Sequence, residues 1–92
     1  MITKQALKTF LKNRGWKEDP YGNMLSKSEK VRFHFQTTSV RIEKAYKPEA
    51  HPYNPHPQKQ WKKINSSYYK NISITDDKLI MRGVTYTIKE QA

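Results

Sequence analysis

Only one stretch of this chain repeats with a helical period, and the residues beyond it alternate. Ala6, Leu7, Phe10 and Leu11 fall on one stripe, while Lys4, Lys8 and Lys12 recur every four residues on the other side. Thr3 stands where an N-cap belongs, Gly15 where a left-handed residue ends a helix, and Ile2 with Leu7 where a hydrophobic staple forms. Beyond Gly15 apolar residues recur at every second position, the period of a half-buried strand. A single amphipathic stripe must bury itself against an apolar sheet face. The expected fold class is therefore α+β: one N-terminal amphipathic helix packed on a five- to seven-stranded antiparallel sheet.

The strands can be read one by one. Trp16–Glu18 runs into an Asp19-Pro20-Tyr21-Gly22-Asn23 turn, and Met24–Lys27 returns. In Lys30–Gln36, Val31, Phe33 and Phe35 share one face, and Arg32, His34 and Gln36 the other. In Ser39–Tyr46, Val40 and Ile42 point inward, Arg41 and Glu43 outward. Farther on, Ile64, Tyr68, Ile72 and Ile74 share the core parity, and Trp61, Lys63 and Tyr69 the opposite one. A single bulge would invert every assignment after it. Leu79–Met81 and Val84–Ile88 are joined by the two-residue connection Arg82-Gly83. Residues 47–58 hold four prolines, which force extended or polyproline backbone and an exposed loop. Residues 1–92 show no internal repeat and no dividing linker, so a single domain is expected.

Several chemistries are excluded. The chain has no cysteine, hence no disulfide, thiol nucleophile or cysteine-based zinc site. No apolar run approaches the ~18 residues of a membrane span. The N-terminus lacks the apolar core of a signal peptide, and a cytoplasmic location in a bacterial cell is expected. No phosphate loop, nucleophile elbow or metalloprotease motif occurs. His34, His51 and His56 match no metal-ligand spacing, so neither metal nor cofactor is expected.

The formal charge is +10, beyond the roughly 2–8 that solubility asks of a small domain. It gathers in two blocks, residues 1–17 and residues 44–70, each with a net charge of +5. Like-charged blocks repel unless a polyanion or an acidic surface neutralises them. On the open sheet face, Arg32, His34, Arg41, Trp61, Lys63 and Tyr69 interleave cations with rings. Single-stranded nucleic acid needs that combination, with bases on rings and phosphates on cations; the same rings can instead serve cross-strand packing. Lys59-Gln60-Trp61-Lys62-Lys63 is a compact basic–aromatic cluster, in which Trp61 is either a contact or a core anchor. The candidate binding residues are Arg32, Arg41, Lys59, Trp61, Lys62, Lys63, Tyr69 and Lys70. Lysines number 14 and arginines 4, a bias that suggests an AT-rich genome, whereas sequence-specific base contacts would call for more arginine. Three functions remain: a non-catalytic nucleic-acid-binding module, an inhibitor docking on a host protein or ribonucleoprotein, and a ribonuclease using His34 with a lysine.

Two resemblances bear on these. The helix, Gly15-Trp16, Asp19 and the Gly22 turn resemble the start of small mRNA-interferase toxins of the HicA type. That family carries a catalytic histidine after its glycine turn. Here Asn23-Met24-Leu25 follows Gly22, so no catalytic residue carries over. The chain as a whole resembles small accessory proteins of phages and prophages from low-GC bacteria. The likeness rests on its size, its lysine bias, its helix-plus-sheet pattern and the block Trp61-Lys62-Lys63-Ile64-Asn65-Ser66-Ser67-Tyr68-Tyr69-Lys70. It implies a binding protein made to act on host or phage machinery, and the charge makes its expected partner nucleic acid, a nucleoprotein or an acidic host protein. Some such proteins inhibit host defence nucleases, CRISPR effectors included.

Overall fold

The computed structural model of the chain describes residues 2–49, 52–53 and 59–89. Most of the proline-rich loop expected at 47–58, His51 and His56 among it, lies outside the described residues. The helix α1 spans Lys4–Lys12. Thr3 is extended, and its Oγ1 accepts a hydrogen bond from the Ala6 amide at 3.1 Å. At the other end Trp16 N–H donates to Leu11 O, and Gly15 N–H to Lys12 O, both at 3.1 Å. With Gly15 at φ 91° this is a Schellman closure, which only a glycine makes without strain.

The strands are β1 (Lys17–Glu18), β2 (Met24–Leu25), β3 (Val31–Phe35), β4 (Ser39–Tyr46), β5 (Gln60–Tyr68), β6 (Ser73–Thr75), β7 (Lys78–Met81) and β8 (Val84–Thr87). They form two antiparallel sheets, not the single sheet expected. One runs β1-β2-β3-β4-β5, the other β6-β7-β8. The break is a 3-10 turn at Tyr69–Asn71. Tyr69 N–H still bonds Thr38 O at 3.2 Å in the register of the β4–β5 ladder, Ile72 N–H then turns back to Tyr69 O at 3.1 Å, and the chain restarts as a separate meander.

The core gathers side chains from every layer. Leu7 and Leu11 of α1 are fully buried with Met24, Phe33, Val40 and Ile42 of the larger sheet and Leu79 and Met81 of the smaller. Trp16 meets Phe33 edge-on, with ring centroids 5.3 Å apart. The main strand neighbour of α1 is β2. Two cations, one on the helix and one just beyond it, are spent on structure. Lys8 reaches Glu18 at 3.8 Å. Arg14 lies over the Phe10 ring and donates to Ile88 O and Asp76 O, which ties the helix end to the smaller sheet.

One irregularity decides where the later side chains point. Ile42 is paired with Asn65, but its neighbour Glu43 is paired with Lys63, so Ile64 has no partner and forms a β-bulge. Trp61 and Lys63, before the bulge, share the open face with Arg32, Arg41 and Glu43, as alternation predicts. After it the parity inverts. Tyr68, expected in the core, is 57 % exposed and shares a face with Ser39. Tyr69, expected on the open face, is 7 % exposed.

Candidate nucleic-acid interface

The open face of the larger sheet divides into two neighbourhoods. Near the β4–β5 hairpin tip, Arg32 and Glu43 are direct cross-strand partners. Arg32 Nε donates to Glu43 Oε1 at 2.7 Å, and its guanidinium lies 4.6 Å from the Trp61 ring centroid. Lys59 Nζ is 5.1 Å from the same ring and donates to Glu29 O at 3.2 Å. Trp61 is half-buried and organises two cations, each already engaged within the chain. Glu43, expected to face solvent, is buried beneath Arg32, with Arg41 Nε 4.0 Å away.

At the other end of this face is a cleft of about 600 Å³. Arg41 of β4 and Lys63 of β5 line it, and Arg82 of the β7–β8 turn closes it. Ser39, Ser66, Gln36 and Asn71 add hydroxyl and amide groups, and Tyr68 adds an exposed ring. No carboxylate is among the described residues that line it. The side chains of Lys63 and Arg82 make no hydrogen bond or ion pair among the described residues. Arg41 Nε is buried without a hydrogen-bond partner. The arrangement concentrates positive potential in a concave site, and the Lys63 and Arg82 side chains offer anions donors that no described residue takes up.

The smaller sheet reaches this cleft through Asn65. The bulge at Ile64 puts Asn65 on the Ile42 side of the sheet. Its Nδ2 donates to Met81 O at 3.1 Å and Tyr86 Oη at 2.9 Å. Met81 immediately precedes Arg82, so the clamp holds the turn beside β5.

The sequence-derived candidates therefore separate. Arg41 and Lys63 come together in the cleft. Arg32, Lys59 and Trp61 form the neighbouring cluster. Lys62 faces the other way, directly opposite Lys44 on the reverse side of the hairpin. Lys70 lies 5.9 Å from the Tyr68 ring centroid, outside the cleft. Tyr69 belongs to the core. Its Oη donates to Gln36 O at 2.6 Å, and its ring stacks on Phe35 with centroids 6.3 Å apart. Burial pushes its pKa up to about 12. His34 pairs with Arg41 across the strands but does not line the cleft.

Sequence reading missed Tyr68 and Arg82. The bulge hid the first. The second had one signal: an arginine where a two-residue hairpin turn takes Asn, Asp or Gly.

Fold and site together define a small basic α+β protein with a cationic cleft between two antiparallel sheets. No family model, no curated protein and no solved structure matches the chain. Among the described residues there is no cluster of potential metal ligands, and no helix is long and apolar enough to cross a membrane.

Proposed function

We propose that this protein binds single-stranded nucleic acid, without catalysis, along the open face of its larger sheet. The observation that carries the reading is the cleft, with three cations, hydroxyl and amide groups, an exposed tyrosine ring and no acid among the described residues that line it. Arg41 and Lys63 contact phosphates, Tyr68 stacks a base, and the Arg32–Trp61–Lys59 cluster continues the track. Bases on rings and phosphates on cations recognise a strand with little regard to sequence. Such a role fits a phage or prophage accessory protein.

Fluorescence anisotropy with single-stranded and duplex oligonucleotides at two salt concentrations tests this. Binding should favour single strands and weaken linearly in log salt. Tyr68→Ala should cost about 1–3 kcal/mol of affinity, the worth of one stacked base, with folding intact. Absent binding, or full affinity in Tyr68→Ala, refutes the reading.

A second reading is an inhibitor docked on a host nucleoprotein. The Lys44–Lys62 pair favours it: two like charges directly opposite each other, on the face away from the cleft. A partner offering phosphate to one face and carboxylate to the other would neutralise both. It would give a defined complex that survives salt concentrations at which free oligonucleotides dissociate.

A further inference from the structure

We infer that Arg82 seats one phosphate of the bound strand, across the cleft from Arg41 and Lys63, and stands there against the conformational preference of its turn. This rests on the nucleic-acid reading and names the residue and the phosphodiester contact that the reading leaves open.

The backbone of the turn is unusual for the residue it holds. Met81 pairs with Val84, so Arg82 and Gly83 alone close the β7–β8 hairpin. Their φ angles are 51° and 78°. Left-handed conformation at both central positions is the type I′ turn, whose twist matches that of the strands. Glycine is required at the second position by its φ, since a Cβ built there would meet nothing within 4 Å. At the first position Asn, Asp or Gly would sit with less strain, because a longer L side chain gains no local hydrogen bond to offset the left-handed backbone. The Arg82 side chain has no such compensation among the described residues, where it makes no hydrogen bond or ion pair. A residue held in a sparsely populated conformation without internal reward points to a ligand.

The location supplies the ligand's chemistry. Arg82 faces the cleft from the smaller sheet, and Arg41 and Lys63 face it from the larger. The Asn65 clamp on Met81 O and Tyr86 Oη makes that placement a fixed feature of the fold. Two guanidinium forks and an ammonium around one concavity suit the non-bridging oxygens of a phosphodiester. The cleft volume is that of a pocket for a ligand of about nucleotide size. Tyr68 on the same wall takes the adjoining base.

The test compares three proteins: the parent chain, Arg82→Asn, and Lys12→Gln as a control that removes one exposed helix charge distant in sequence from the cleft. The probe is fluorescein-labelled oligothymidylate, titrated by anisotropy over a range of salt. Arg82→Asn should weaken binding roughly 3- to 10-fold and lower the log–log salt slope by about 1, as loss of one phosphate contact does. Its melting temperature should be unchanged or a few degrees higher, since asparagine relaxes the turn. Lys12→Gln should stay within about twofold of the parent. Parent-like binding by Arg82→Asn overturns the inference and leaves the nucleic-acid reading standing. Equal losses in both variants overturn it too, since net charge would then explain both. A melting temperature several degrees lower in Arg82→Asn would make the arginine a structural residue and remove the case from strain. If the parent chain binds no oligonucleotide, the nucleic-acid reading itself fails, and the inference with it.

Discussion

Removing one oxygen, in Tyr69→Phe, separates a core tyrosine from a ligand-stacking one. Tyr69 Oη donates to Gln36 O at 2.6 Å from a site only 7 % exposed. The variant keeps the ring and its stacking on Phe35 but leaves the Gln36 carbonyl without this donor. The expected cost at pH 8 is about 1 kcal/mol, the net worth of a neutral hydrogen bond. In a chain of this size that lowers the melting temperature by roughly 4–8 °C.

The pH dependence makes the test sharper. The phenol titrates at about 12 in the folded chain and near its ordinary value of 10 when unfolded. Because the folded pKa is the higher, the contribution of the phenol is complete below pH 10 and is lost as pH climbs through 12. The full span is worth about 2.7 kcal/mol, and about 1.4 kcal/mol of it is gone at pH 11. That exceeds the hydrogen bond's contribution, so Tyr69→Phe should be the less stable protein at pH 8 and slightly the more stable at pH 11. Urea unfolding of both proteins at the two pH values measures this, and lysine deprotonation cancels in the comparison. Stability curves that fall in parallel would mean that Tyr69 is not held as a buried, neutral donor. Oligonucleotide affinity at pH 8 should match that of the parent, because the hydroxyl points into the fold.

Two further substitutions probe the supports of the cleft. Asn65→Ala removes both donations from Nδ2 and should cost about 1–2 kcal/mol in urea unfolding. It should also weaken oligonucleotide binding several-fold, whereas unchanged affinity would show that Arg82 keeps its place without the clamp. Glu43→Gln breaks the ion pair to Arg32. Loss of one partner of a fully buried pair costs about 3–5 kcal/mol, and the partial exposure of Arg32 reduces this to about 1–3 kcal/mol. The folded variant should bind oligonucleotides more tightly, since Arg41 loses the carboxylate 4.0 Å from its Nε; weaker binding would mean that Glu43 orients Arg41 for its ligand.

Readability from sequence followed the range of the interactions involved. The helix was legible because its stripe, the Thr3 cap and the Gly15 closure are encoded within fifteen consecutive residues. Alternation likewise placed Phe33, Val40 and Ile42 inward, and Arg41 and Lys63 on the open face. The division into two sheets was not legible. It depends on the chain leaving the β4–β5 ladder at the 3-10 turn, where Ile72 N–H bonds Tyr69 O, and Tyr-Lys-Asn carries no strong turn signature. The burial of Glu43 was hidden for a similar reason: alternation assigns a face, but only the Arg32 and Trp61 side chains that cover that face make it a buried one.

The bulge shows why the site could not be assembled from periodicity alone. Pairing between β4 and β5 slips by one residue between Ile42 and Glu43, and that slip is settled by two strands separated by the 47–59 connection. Up to Lys63 the alternation counted along the chain agrees with the structure. Beyond it, the same extra residue turns Tyr68 outward beside Ser39, brings Asn65 to the side where it reaches Met81 and Tyr86, and lets Tyr69 enter the core. The exposed ring and the clamp behind Arg82 therefore share one cause. A strictly alternating β5 would bury Tyr68 and turn Asn65 away from the smaller sheet, and Arg41 and Lys63 would then face an open sheet with neither ring nor third cation to complete a cleft.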